Sequence, residues 1–141
     1  MEMAIVAPIL ILLLFGTMEM GLLFRDSLVL NSACREAARV AALGGRTADV
    51  TARAQAAATT LVASNVTDTQ QYRTYSAGTW GSWTNLANTG DGTANNAPSG
   101  AQIRITLTYP HELCTGSLFA SLANPGTSTV TVRGNMVMMR E

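Results

Sequence analysis

The sequence predicts an α+β chain: a long N-terminal helix able to span a membrane, a second short helix, and a small antiparallel sheet that completes a head. Three observations predict it. Residues 3–18 carry no charge and are mostly apolar, residues 46–65 place apolar side chains at helical spacing, and residues 101–109 and 127–139 alternate apolar with polar positions as half-buried strands do. With 141 residues there is room for one domain beyond the long helix.

The first helix is the strongest element. A bilayer core takes about 20 apolar residues in helix, and residues 20–24 extend the uncharged run once Glu19 is neutralised or paired. Beyond it, Leu28, Leu30, Ala33, Ala37, Val40, Ala41 and Leu43 keep a helical spacing among charged residues, so one helix of about 60 Å should run from the start to about Leu43. Gly44-Gly45 stops it. The expected division is residues 1–24 as the membrane-spanning half and residues 25–141 as an extracytoplasmic head that includes the rest of the helix. Basic residues normally mark the cytoplasmic side, yet Arg25, Arg35 and Arg39 follow the span and none precedes it. A short basic leader removed from ahead of Met1 reconciles the charge pattern with an external head.

Over residues 46–65 a second helix is expected, with Thr47 as N-cap, Asp49 in the first turn, Val50, Ala54, Ala57, Ala58, Leu61 and Val62 on the apolar side, and Asn65 near the stop. Residues 70–85 alternate aromatic and polar side chains around glycine turns and suit a short hairpin carrying Tyr72, Tyr75, Trp80 and Trp83. In the segment 101–109, Ile103, Ile105, Leu107 and Tyr109 share one strand face; in 127–139, Val130, Val132, Met136 and Met138 are in phase. The result is a sheet of three or four antiparallel strands under the C-terminal half of the first helix. Residues 85–100 are polar and read as an exposed, variable loop.

Composition excludes several function classes. Formal net charge is zero and the nine basic residues, all arginine, are spread from Arg25 to Arg140 without a cluster, so no nucleic-acid partner is expected. No metal or other cofactor is expected either: Cys34, Cys114 and His111 lack ligand spacing, Asp91 is the single carboxylate of its loop, and Met136, Met138 and Met139 read as packing. His111 has an adjacent acid, Glu112, but neighbours on a strand point to opposite faces, and no phosphate loop or nucleophile elbow is present. An enzyme is not expected.

An apolar span headed by Glu2, with Pro8 inside it, Glu19-x-Gly21 near its end, and a helix closing on "ACREAARVAALGG" around Ala38-Arg39, resembles the TadE-like pseudopilins of tight-adherence systems, a branch of the type IV pilin superfamily. The resemblance implies a pilin-like fold, a leader cut by a prepilin peptidase, residence in the bacterial inner membrane, and use of the helix as a filament core by an assembly platform. It also marks Arg39 as a residue docking the helix to the head or to another subunit, where the default is a solvated charge paired with Glu36. The implied product is an extracellular surface filament built from copies of the chain and serving adhesion or secretion. The alternative is a membrane-anchored minor pseudopilin or scaffold of the same machine that does not polymerise.

Glu2 has a physical reading independent of any family. An ionised carboxylate among apolar groups costs several kcal/mol unless paired, protonated or drawn to the interface. A neighbour's free N-terminal amine is one such partner and would set register between subunits; a helix-start acid at the headgroups is the plainer reading. Glu19 is either solvated at the outer boundary or in contact with a neighbour's Arg25, and Pro8 either breaks the helix locally or is a tolerated kink. With the head outside the cytoplasm, a Cys34–Cys114 disulfide becomes expected, closing a loop long enough to contribute about 4 kcal/mol.

Overall fold

The computed structural model describes residues 2–113 and 129–141, apart from the side chains of Glu2, Ala4 and Ile5. Helix α1 spans Glu2–Ala42 and includes Pro8. It therefore continues through the proline, which removes only one backbone donor. Its end has a direct cause in Gly44, which adopts φ +87. The Gly44 N–H reaches Ala41 O at 3.0 Å and the Gly45 N–H reaches Val40 O at 2.9 Å, closing the last turn as a Schellman motif.

Two halves of α1 meet different surroundings. Leu30, Ala33, Cys34, Ala37, Ala38 and Ala41 are fully buried against the head, a stripe at three- and four-residue spacing whose small side chains bring the helix close to the sheet. Leu10, Leu14 and Phe24 are 60%, 61% and 64% exposed, so the first half is left largely uncovered, with the buried Glu19 as its exception. The segment Val6–Ala42 contains a stretch long and apolar enough to cross a membrane. Anchoring in a bilayer fits that surface.

Helix α2, Thr47–Ala57, is shorter than the expected 46–65. The Ala58 N–H is shared by Ala54 O and Gln55 O, and the Leu61 N–H then turns onto Ala58 O. This lets Leu61 and Val66 enter the core, with a 3-10 turn at Ala63–Asn65 between them. The N-cap is Arg46, not Thr47; the Thr47 N–H is the first in the helix and donates to Asn88 Oδ1 at 2.9 Å. A distant side chain thus replaces the local cap.

The strands are β1 (Thr67–Arg73), β2 (Tyr75–Ser76), β3 (Thr79–Trp80), β4 (Thr84–Asn85), β5 (Gln102–Glu112) and β6 (Thr129–Met139). The main sheet has the order β4-β1-β5-β6 with every pair antiparallel. The expected aromatic hairpin is reduced to β2–β3, a separate two-stranded unit that carries Tyr75 and Trp80 and turns through Ala77 and Gly78, both at positive φ, while Tyr72 belongs to β1 of the main sheet and Trp83 lies between β3 and β4. Ile103, Ile105 and Leu107 fill the core face of β5. The architecture is the expected α+β, pilin-like one: a long apolar helix, a short helix and an antiparallel sheet.

Where α1 crosses β6, a Cβ on Gly134 would lie 3.0 Å from Cys34 Sγ and 3.1 Å from Leu30 O. Neither neighbour can swing away, because one is helix backbone and the other is a packed side chain. Gly134→Val should therefore cost about 2–3 kcal/mol through overpacking, read as a lower urea midpoint for the protein in detergent.

Residues 85–100 depart from the expected exposed loop. Leu86, Asn95 and Ala97 are buried. Asn95 Nδ2 donates to Ala41 O at 2.8 Å and to Gly45 O at 2.9 Å, while its Oδ1 accepts from the Ala97 N–H and from Arg140 Nη1. Polar composition misleads here because the end of a helix needs polar partners for its carbonyls.

Candidate functional site

Residue 111 continues the β5 sequence of inward positions from Ile103 through Leu107, so His111 must point toward α1. It is buried, and so are Glu19 and Asp26 on the helix. His111 Nδ1 lies 2.6 Å from Asp26 Oδ2, and Nε2 lies 3.4 Å from Glu19 Oε1. Glu19 and Asp26 are seven positions apart, two helical turns, which sets both carboxylates on the face that receives the imidazole. Both ring nitrogens are thus directed at carboxylate oxygens. Arg25 and Glu112, both exposed, line an adjoining cleft of about 230 Å³ together with Asp26 and His111.

The chemistry of this cluster is that of a clamp. No group of three or more His, Cys, Asp or Glu side chains suited to holding a metal occurs among the described residues. The cluster instead joins the lower end of β5 to α1 at the place where the exposed, apolar half of the helix begins. Beside it an apolar groove runs between α1 and the sheet end, lined by Leu13, Met20, Leu23, Phe24, Leu113 and Val130, with Glu19 in its wall.

The expected site residues fall in different places. Glu2 lies in the first turn of α1, its side chain outside the description; Pro8 is inside the exposed half. Glu19 is not a solvated boundary acid: it is buried, with the imidazole of His111 3.4 Å away. Arg25 is exposed one position before Asp26, and Arg39 is exposed in the last turn of α1. Glu36 pairs with Arg53 of α2 at 2.8 Å instead of with Arg39. The hydrogen bond from Arg53 holds the Glu36 carboxyl below the usual carboxylate range, with Arg39 a minor contributor. Cys34 is buried beside Leu107, and burial pushes its thiol up; Cys114, its expected disulfide partner, lies outside the described residues.

Sequence reasoning missed Asp26 and His111 as site residues. The available signal was phase: His111 sits in step with Ile103, Ile105 and Leu107, and a histidine on a core face needs polar partners. Its neighbour in sequence, Glu112, is exposed on the opposite face of the strand.

Fold and cluster together define a class, a membrane-competent helix bearing an α+β head clamped to it at the boundary. Residues 1–39 match the model of the family described as TadE-like protein. The match ends in the last turns of α1 and includes Glu19 and Asp26, while the sheet lies outside it. No curated protein and no solved structure matches the chain.

Proposed function

We propose that this chain is a structural subunit of a bacterial type IV or tight-adherence filament, polymerising through its apolar N-terminal helix and supporting adhesion or secretion. The observation that carries this reading is the division within α1: its C-terminal half is buried in its own head, while its N-terminal half exposes a continuous apolar surface. In the membrane lipid covers that surface; in a filament the helices of neighbouring copies take the place of lipid. The match of residues 1–39 supports the pilus association.

In this reading residues 1–24 form the membrane and filament-core part and residues 25–141 the external head, whose grip on the helix reaches down to Glu19. The partners are copies of the chain, the inner membrane before assembly, a prepilin peptidase and an assembly platform, with no nucleic acid. The role is structural and not enzymatic. Glu2 sets register by pairing with a neighbour's N-terminal amine, and the Glu19–His111–Asp26 clamp fixes the angle at which each head leaves the core.

Electron microscopy and mass spectrometry of material sheared from the cell surface test the reading. Filaments dominated by this chain are expected, and Glu2→Ala should leave membrane insertion intact while abolishing or misaligning them. The capture of Glu19 within its own chain removes one contact between subunits and in that respect favours a second reading, while in the first reading it leaves Glu2 as the acid that sets register. Absence from sheared filaments with retention in the membrane would establish that second reading, a non-polymerising minor pseudopilin or scaffold.

A further inference from the structure

The face of the sheet turned away from α1 has a charge pattern that neither the clamp nor the apolar helix uses. Tyr72 pairs with Ile103 and packs on the core, so Arg73 and Arg104 project on the other side. Arg133 pairs with Thr108 and shares that outer face. By the same alternation Glu112 is the carboxylate there, eight positions along β5 from Arg104 and so about 26 Å away. None of these three arginines makes an ion pair among the described residues.

Aromatic rings hold two of the guanidiniums together. Arg104 lies 4.1 Å and Arg73 4.5 Å from the centroid of the Trp83 ring, and Arg73 also lies 5.2 Å from that of Trp80. Neutral amides complete the setting: Arg73 Nε donates to Gln102 Oε1 at 2.8 Å, and Arg104 Nη2 donates to Gln71 Oε1. Two cations on one ring repel each other, while their π and amide contacts leave the positive charge unneutralised. Tyr75 and Trp80, packed 5.1 Å apart, stand exposed beside them on the β2–β3 hairpin.

We infer that this outer face binds an acidic polysaccharide. Guanidinium forks match the carboxylate or sulfate groups of such a chain. The exposed aromatic rings match the apolar C–H faces of its sugars, and the Thr, Gln and Asn side chains of the outer strand positions match its hydroxyls. A second copy of the protein is a poorer complement, because Glu19, Asp26, Glu36 and Asp49 are paired with basic side chains of their own chain, and the other described carboxylates, Asp68, Asp91, Glu112 and Glu141, stand apart on β1, the 85–100 segment, the end of β5 and the C-terminus and form no matching acidic patch. Nucleic acid, with a phosphate at every step, would call for a denser basic surface than three arginines.

The test uses the full chain in detergent micelles, titrated with alginate oligomers, neutral dextran and single-stranded oligothymidylate. Alginate should bind, more tightly than either other polymer, with an affinity that falls as salt is raised. The double variant Arg73→Gln/Arg104→Gln should weaken alginate binding about tenfold or more with an unchanged far-ultraviolet circular dichroism spectrum. Should that variant misfold, Arg133→Gln and Trp80→Ala, whose side chains are exposed, carry the same expectation. Alginate no tighter than dextran, DNA as tight as alginate, or full affinity in folded variants would each overturn the proposal. Binding is read on micellar protein, so failure here leaves the filament reading untouched.

Discussion

Exchanging His111 for leucine is expected to destabilise the head by about 3–5 kcal/mol, the range for removing one partner from a buried ionic cluster. The substitution takes away the imidazole shared by Glu19 and Asp26 and leaves two buried carboxylates facing an apolar side chain in its place. Asp26→Leu should cost less, because the ring keeps Glu19 at 3.4 Å. Replacing all three residues by apolar ones of similar volume should recover most of the loss, since buried ion clusters gain little net stability over good packing. Urea unfolding of the detergent-solubilised protein, followed by the fluorescence of Trp80 and Trp83, gives these values. A loss below about 1 kcal/mol for His111→Leu, the range of an exposed pair, would mean that the clamp does not form. The stable triple variant has a further use: if its filaments lose order, the clamp serves head orientation beyond stability.

Asn95→Ala should be the next largest change, about 3 kcal/mol, because it leaves buried carbonyls without their donor and opens a small void. The amide of Asn95 links the carbonyls of Ala41 and Gly45 to the Ala97 N–H and to Arg140 near the C-terminus. Its loss should be felt locally first. Faster hydrogen exchange at Gly44 and Gly45 and new proteolytic nicks within residues 85–100 are expected before global unfolding. Asn95→Asp is expected to be no better, since it loses both amide donors and brings negative charge to the negative end of α1. If Asn95→Ala exchanges as slowly as the parent at those glycines, the segment is held by other contacts.

These two side chains also show where sequence reasoning stopped. The long helix, its glycine stop, the alternating β5 and β6, and the α+β class were legible because each depends on periodicity or backbone preference within about a dozen residues. The shortening of α2 was not, because Leu61 and Val66 turn toward a core that other segments build. Asn88 and Asn95 read as loop residues by composition, yet one satisfies the start of α2 and the other the end of α1 from 41 and 54 positions away. Long-range polar contacts of this kind leave no local pattern.

The sequence by itself determined the membrane-competent helix, its continuation into a head, the head's strand faces and the likeness of residues 1–39 to TadE-like proteins, since covalent order and side-chain periodicity carry all of these. Tertiary structure alone decided that Glu19 and Asp26 close on His111 from 92 and 85 positions away, and that Arg73 and Arg104 share one tryptophan. Those contacts depend on the register of β5 against β1 and on the depth at which the sheet seats on α1. The register follows from the strand pairing that sets Tyr72 opposite Ile103, and the depth from the close approach of Leu30 and Cys34 to Gly134; a one-residue slip of β5 would turn His111 and Arg104 to the opposite faces.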